Sequence, residues 1–143
     1  MSLREAKARE MFSKGYNCAQ SVLGAFCEEA GLDINTAINI AGGMGGGMRI
    51  GEICGAVSGA VMVIGIKHGF EMDTKWDLYK IVVEFMKQFE KCNGSTVCKK
   101  LLGYDFSIPE EQAAANNTGR IKEICPEMVA SAVRILESME FER

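Results

Sequence analysis

Apolar residues recur every three to four positions along most of the chain, and the two-residue alternation of a half-buried strand is nearly absent. This pattern, broken by glycines and capping residues, predicts a series of α-helices. The predicted helices cover 3–13, 18–30, 34–41, 52–68 and 75–91, and a short stretch ending at 102. They are followed by a helix that opens after the Ser107 cap and ends at about 117, and by a last helix that begins at Pro126. Short connections favour one all-α, compact domain over 1–143, a bundle of six to eight helices.

Two segments carry the residue types of a capping box, in which a side chain and a backbone N–H group bond reciprocally at a helix start. Asn17, followed three residues later by Gln20, predicts the start of the second helix. Ser107-Ile108-Pro109-Glu110 predicts another start, with proline in the first turn. Asp33 and Ser95 are the expected caps of two short helices.

The helix at 75–91 has the widest apolar face. One stripe consists of Trp76, Tyr79, Val83 and Met86, and it is widened by Leu78, Val82, Phe85 and Phe89. So wide a stripe predicts a mostly buried helix near the centre of the core. Trp76 is expected to anchor the core or an interface. The inner face of the last helix is predicted to be Met128, Val129, Ala132, Val133, Leu136 and Met139.

The composition limits the classes of function. The 143 residues suit a single domain, with 48% hydrophobic and 24% charged residues. A formal net charge of -3 and the lack of a basic run argue against binding to nucleic acid. The longest apolar stretch, 54–66, is too short for a membrane span, and the first residues do not resemble a secretory signal. We therefore expect a cytoplasmic protein, whose cysteines are more readily explained as thiols, metal ligands or redox centres than as structural disulfides.

The six cysteines fall into two groups by their place in the predicted helices. Four stand at predicted helix N-termini: Cys18, Cys54, Cys98 and Cys125. Free N–H groups and the helix dipole stabilise a thiolate there, and the thiolate is the form that attacks, oxidises or binds a metal. Cys27 and Cys92 lie in the last turns of their helices, where the dipole disfavours the thiolate.

Core packing is the alternative explanation for each cysteine, because free cysteine is among the most buried residue types. No Cys-x-x-Cys pair occurs, so the usual zinc-finger, thioredoxin-like and c-type haem motifs are excluded. The residue pattern therefore leaves two possibilities open, a shared redox or metal site and a set of buried structural cysteines.

A glycine-rich segment, 42–51, precedes the cysteine-bearing helix at 52–68. It lacks the preceding strand that a dinucleotide-binding loop requires. Glycines allow close packing, and a loop of N–H groups can form an anion-binding nest that would stabilise a thiolate or a cluster sulfide at Cys54. Arg49 either adds positive charge there or is an ordinary exposed arginine. Gly55 and Gly59 indicate that another helix crosses very near the Cys54 turn.

The cysteine-containing motifs together resemble the C_GCAxxG_C_C family, a family of redox-active proteins of similar length related to part of the split-Soret cytochromes. The matching segments are Asn17-Cys18-Ala19-Gln20, Cys54-Gly55-Ala56-x-x-Gly59, Gly94-Ser95-x-x-Cys98-x-x-Leu101-Leu102-Gly103 and Cys125. Ile53 stands where the family name has a glycine. The resemblance implies that the family's four characteristic cysteines are the same four that stand at predicted helix starts. It implies redox chemistry without supplying a substrate.

We therefore predict one functional site formed by Cys18, Cys54, Cys98 and Cys125, in a possible oxidoreductase or electron-transfer protein. These thiols either cycle between dithiol and disulfide without a cofactor, with Cys54 as the expected attacking thiolate, or bind an iron–sulfur cluster or another metal. The candidate cofactor-binding residues are Gly55, Ala56, Gly59 and Arg49.

The expected partner is a redox protein or a small-molecule electron donor or acceptor, and a homodimer is possible. The alternative function is a non-catalytic helical binding or assembly module with structural cysteines.

Overall fold

The computed structural model describes residues 1–139, and within them the chain forms an all-α bundle, as the periodicity predicted. The eight α-helices are α1 (Leu3–Ser13), α2 (Cys18–Phe26), α3 (Ile34–Ile40), α4 (Gly55–His68), α5 (Lys75–Asn93), α6 (Cys98–Leu102), α7 (Pro109–Asn117) and α8 (Arg120–Ser138). A 3₁₀ turn, Met72–Thr74, precedes α5. None of the helices in this part of the chain is both long enough and apolar enough to cross a membrane.

Helix α2 lies at the centre of the bundle. It contacts α1, α3, α4 and α8, and every one of its residues except Gln20 is buried. A helix with so little polar surface must be covered on all sides, because leaving its apolar groups in water would forfeit the free energy of burial. The core therefore forms around α2, with α4 and α1 as its main partners.

Helices α2 and α4 approach each other closely through glycine. A Cβ atom added to Gly59 would lie 2.8 Å from the carbonyl oxygen of Ala19, and one added to Gly55 would lie 3.1 Å from Ala19 N and from the Cβ of Cys18. The predicted close crossing near Cys54 is therefore confirmed. We call this contact between α2 and α4 the glycine seam.

The predicted central position of α5 is wrong. Phe85 and Phe89 are fully buried, but Trp76, Tyr79 and Val83 remain 66%, 45% and 50% exposed. Helix α5 packs on one side only, against α4 and α8, and its apolar stripe is wider than that contact. We call the exposed stripe formed by Trp76, Tyr79 and Val83 the outer face of α5.

Several predicted helix boundaries also need correction. Helix α2 ends at Phe26 and is followed by turns instead of continuing to residue 30, and α4 begins at Gly55 with Cys54 as its N-cap. The second capping box is absent. Ile108 is the N-cap of α7 and no side chain caps it, because Ser107 instead donates its N–H and hydroxyl to the Asp105 carboxylate.

Pro126 does not begin the last helix. Helix α8 begins at Arg120, after the left-handed Gly119, and continues through the proline. Proline removes the N–H that would bond the carbonyl of Lys122, but Lys122 is an exposed residue near the helix start, where water can replace the missing donor. The inner face of α8 is otherwise as predicted, with Val129, Val133 and Leu136 buried.

A cavity lined by four cysteines

A cavity of about 210 Å³ lies between α2, α4, α6 and α8, and the sulfur-bearing side chains of all four predicted site residues line it. Cys18, Cys54 and Cys98 are buried and Cys125 is half-buried. Most of the remaining wall is apolar, from residues that include Phe12, Leu101, Phe106, Ile121, Ile124 and Met128. The prediction that these four cysteines share one place in the fold is therefore supported by the geometry.

Cys18 is the first residue of α2, and the predicted capping box holds it there. The Asn17 side-chain oxygen accepts from Gln20 N at 2.8 Å, and the Gln20 side-chain oxygen accepts from Asn17 N at 2.9 Å. The Asn17 amide nitrogen also donates to the carbonyls of Ala41 and Gly42. One asparagine thus fixes the start of α2 and attaches it to the beginning of the glycine-rich segment.

Cys54 and Cys98 are brought together by a short antiparallel bridge between Ile53 and Val97. Cys54 N donates to Thr96 O at 2.8 Å, and Cys98 N donates to Glu52 O at 2.6 Å. Because each cysteine is hydrogen-bonded through its own backbone to the other segment, the N-cap of α4 and the first residue of α6 are held side by side.

Cys125 reaches the cavity by a different route from the one predicted. It lies inside α8, in the second turn, so it has no free helix N-terminus beside it. The Arg120 Nε donates to Leu102 O at 3.1 Å and attaches the start of α8 to the end of α6. Cys125 therefore joins the site through helix packing, and the expected N-terminal location is wrong for this cysteine alone.

The glycine-rich segment ends in a left-handed turn next to the cavity. Gly46, Gly47, Met48 and Arg49 have consecutive φ values of 64°, 61°, 59° and 66°. Gly47 is confined further, because a Cβ there would lie 2.5 Å from Glu52 N and 2.9 Å from the Cβ of Cys98. The turn thus packs directly against the bridge that holds Cys98.

The four thiols differ in acidity. Interaction with the neighbouring Cys125 thiol raises the pKa of Cys18 well above its ordinary value, and burial and the other cysteines of the site add to the rise. The same interaction lowers the pKa of Cys125, although burial opposes the change. Cys125 is therefore the site cysteine whose thiolate is stabilised.

Burial dominates at the other two cysteines. It raises the pKa of Cys54 to about 12, although the backbone amides of Ala56 and Val57 favour the thiolate. It raises the pKa of Cys98 to about 11, with a further rise from Cys125 and an opposing effect from Arg49. The prediction that Cys54 is the most activated thiol is wrong, because loss of hydration outweighs the amides at the start of α4.

The two cysteines that were predicted to lie near helix C-termini are outside the cavity. Cys27 is the C-cap of α2 and is fully buried, with its thiol directed to the carbonyl of Gly24 at 3.5 Å. Burial raises the pKa of Cys27. Cys92 is exposed in the last turn of α5. One is a core residue and the other a surface thiol.

Only two of the four candidate cofactor-binding residues line the cavity. Gly55 and Arg49 line the cavity, whereas Ala56 is buried outside it and Gly59 lies in the glycine seam. Phe106, over which the Arg49 guanidinium stacks at 5.5 Å, was missed, since it lies in a loop with no motif to mark it.

The thiols are not arranged around a single metal ion. Within residues 1–139, no three side chains of His, Cys, Asp or Glu lie close enough together to hold one ion. A mononuclear zinc or iron site, with metal–sulfur distances of about 2.3 Å, does not fit this arrangement of sulfur atoms.

The fold and the site define an all-helical protein with four cysteines around a largely apolar cavity. A family model whose description reads "Putative redox-active protein (C_GCAxxG_C_C)" matches residues 16–139. The chain belongs to this family, as the motifs indicated. No curated protein and no solved structure matches it.

Proposed function

We propose that the chain is a thiol–disulfide redox protein in which Cys125 is the attacking thiolate and Cys18 the resolving thiol. The observation that carries this proposal is that both cysteines line the same cavity, where Cys18 is buried and Cys125 half-buried, and that their proximity lowers the pKa of Cys125 while raising that of Cys18. Thiol–disulfide exchange requires a thiolate and a second thiol within reach of it, and this pair supplies both.

The reaction has two steps. The Cys125 thiolate attacks one sulfur of a substrate disulfide, whose S–S bond breaks and whose second sulfur leaves as a thiolate that takes up a proton. Cys18 then loses its proton and attacks the Cys125 sulfur of the mixed disulfide, which releases the second substrate thiol. The two cysteines are oxidised by two electrons and the substrate disulfide is reduced to two thiols.

Cys54 and Cys98 assist this pair without exchanging thiols themselves. Both are buried and their pKa values are raised, whereas the pKa of Cys125 is lowered, so they lose their protons only at higher pH than Cys125 does. Neutral thiols beside the reacting pair add no like charge to the cavity, which favours the Cys125 thiolate. The partner is a disulfide of a protein or a small molecule. The proposed exchange starts from reduced thiols, so we place the protein in the cytoplasm, where thiols are kept reduced.

Competitive alkylation of the reduced protein tests the assignment of the nucleophile. With iodoacetamide at neutral pH, Cys125 is expected to be labelled before Cys92, although Cys92 is the more exposed thiol. Mass spectrometry of timed samples gives the order. In glutathione redox buffer, a disulfide between Cys18 and Cys125 is expected to form, and C92S is the matched control that leaves this disulfide unchanged. Labelling of Cys92 first, or a different disulfide, contradicts the proposal.

A second candidate is electron transfer through an iron–sulfur cluster held by the four cysteines. One observation favours it: dithiol exchange needs two sulfurs, yet four face a single cavity of about 210 Å³. Bridging sulfides separate the irons, so a cluster does not require all four cysteine sulfurs around one ion. The cluster would supply one-electron transfer, while the apolar wall would exclude water from it.

Purification without oxygen distinguishes the two candidates. The thiol–disulfide function predicts a colourless protein without stoichiometric iron or sulfide, and the cluster predicts visible absorbance with both. C98S is the discriminating variant. It is expected to leave the disulfide between Cys18 and Cys125 intact if exchange is the function, and to abolish the visible absorbance if a cluster is bound.

A further inference from the structure

Arg49 differs from the other arginines that the structure describes. Arg4, Arg9, Arg120 and Arg134 each form ion pairs with carboxylates. Within residues 1–139 the Arg49 guanidinium has neither an ion pair nor a hydrogen bond, and only its stacking over the Phe106 ring holds it. Its five donors are therefore available to an anionic ligand.

The position of the Arg49 guanidinium indicates which site an anionic ligand would reach. Among the described residues, Arg49 is the one ionic side chain, apart from the thiols, that lines the cysteine cavity. The residue itself is exposed, whereas Cys18, Cys54 and Cys98 on the inner wall are buried. A molecule that enters from solvent thus meets a cation at the mouth and sulfur atoms further inside.

The backbone around Arg49 permits this position of the guanidinium. Met48 and Arg49 have left-handed φ values that are unfavourable for residues with a Cβ, and such values persist only where the surroundings determine them. A Cβ at Gly46 would lie 2.7 Å from an Arg49 guanidinium nitrogen and 2.5 Å from the Phe106 ring. The left-handed turn and Gly46 therefore allow Arg49 to fold back over Phe106 at the cavity.

We propose that Arg49 binds the carboxylate of a small anionic disulfide, and that disulfides of this class are the substrate of the Cys125–Cys18 pair. This inference rests on the thiol–disulfide function proposed above. Arginine recognises a carboxylate through two parallel hydrogen bonds, which orients the ligand as well as attracting it. The cavity, at about 210 Å³, is smaller than the pockets of about 300–1,000 Å³ that take drug-sized ligands, which favours a low-molecular-weight substrate.

Binding of the carboxylate to Arg49 changes neither the bonds nor the electrons that are exchanged in the reaction. Arg49 stays protonated and forms no covalent bond. The Cys125 thiolate attacks the nearer sulfur of the bound disulfide, the S–S bond breaks, and the leaving thiolate takes its proton from water. Attack by Cys18 on Cys125 then releases the second substrate thiol, so that two protein thiols supply both electrons.

Three small disulfides of different charge test the proposal: dithiodiglycolate, which is anionic, hydroxyethyl disulfide, which is neutral, and cystamine, which is cationic. The rate of the mixed disulfide at Cys125 is followed by acid quenching and mass spectrometry, and each rate is divided by the rate of the same disulfide with free cysteine. The wild-type protein is expected to prefer dithiodiglycolate. R49N is expected to slow that disulfide about tenfold and to leave hydroxyethyl disulfide unchanged.

Asparagine is chosen at position 49 because it tolerates the left-handed conformation, so that R49N retains the turn. K100Q is the matched control. Lys100 is an exposed cation on α6 that does not line the cavity, and its removal is expected to leave all three rates unchanged. An equal loss for anionic and neutral disulfides in R49N, or no loss for either, overturns the role of Arg49 in substrate recognition.

Failure of this inference is distinguishable from failure of the proposed function. If Cys125 reacts with all three disulfides at normalised rates that do not depend on charge, the exchange function stands and the preference for anions is wrong. If the wild-type protein forms its mixed disulfide at a cysteine other than Cys125, or if no disulfide between Cys18 and Cys125 follows, the exchange function itself is wrong.

Discussion

The glycine seam and the outer face of α5 show opposite relations between side-chain size and depth in the protein. At the seam, Gly55, Gly59 and Ala19 bring two backbones into contact in the middle of the core. On α5, Trp76 and Tyr79 stack edge to face at 5.4 Å and remain largely exposed. Apolar area alone does not decide which helix is central. A helix of small residues can be enclosed by several neighbours, whereas one with bulky residues on a wide arc is covered only where a neighbour fits.

The largest expected difference lies between the outer face of α5 and the buried side of the same helix, and it comes from truncating one aromatic residue on each. F89A is expected to lower the free energy of unfolding by about 3–5 kcal/mol, because Phe89 is fully buried and stacks on Phe85. W76A is the matched control on the outer face, with an expected loss below about 1 kcal/mol. Urea unfolding of both variants measures the difference. A loss at Trp76 equal to that at Phe89 would mean that the outer face is covered in solution.

The glycine seam can be tested within a single helix. G59A is expected to cost about 1–3 kcal/mol, because the added Cβ meets the carbonyl oxygen of Ala19, a backbone atom that cannot move freely. G65A, also on α4, has nothing within 4 Å of the added Cβ and is expected to stabilise the protein by about 0.5–1 kcal/mol through helix propensity. Equal effects at the two glycines would contradict the close crossing.

Alkaline pH is expected to lower the free energy of unfolding through the thiol of Cys54, which lies at one end of the glycine seam. In the unfolded chain this thiol ionises near its ordinary pKa of 9.0, whereas in the folded protein burial raises the pKa to about 12. Between these values the folded state binds the additional proton, so its stability falls as pH rises. In reduced protein, C54A is expected to decrease this slope by up to about 1.4 kcal/mol per pH unit.

The control for the pH experiment is C92A on α5. Cys92 is an exposed thiol outside the core, so this variant shows whether the loss of any one thiol is enough to change the slope. Urea unfolding on either side of about pH 9 compares the three proteins. If the stability of C54A falls with pH as steeply as that of the wild-type protein, groups other than Cys54 cause the pH dependence.

The smallest expected effects concern the N-caps of α2 and α5. N17A is expected to lower the free energy of unfolding by about 1 kcal/mol, because it removes the capping box at the start of α2. At α5, Thr74 makes no side-chain cap, and its buried hydroxyl finds no hydrogen-bond partner among the described residues. T74V is therefore expected to be neutral or slightly stabilising. Thermal unfolding of both variants checks the difference in sign.

Most of the secondary structure followed from local rules. Helix α1 begins and ends where the periodicity predicted, and the Asn17 capping box formed as expected. The misplaced start of α8 also has a local cause. Proline fits a first turn well, so Pro126 indicated a helix start, while the signal for the earlier start was Gly119 in its left-handed conformation. The all-α class did not depend on these boundaries.

The site was predictable as a set of residues, but its chemistry was not. Three of the four cysteines lie at helix starts, and this local property selected them. The acidity of Cys125 depends on the neighbouring Cys18, which is far from it in the sequence, and that of Cys54 depends on burial. Both are consequences of tertiary packing, which no local pattern encodes.

The contribution of α8 to the cavity has a consequence for biosynthesis. Helix α8 supplies Cys125 and the wall formed by Ile121, Ile124 and Met128, yet a ribosome adds these residues after the segments that carry Cys18, Cys54 and Cys98. A nascent chain therefore displays three thiols before the fourth can enclose them. During translation these thiols depend on the reducing power of their surroundings, and shelter from oxidants begins only when α8 docks.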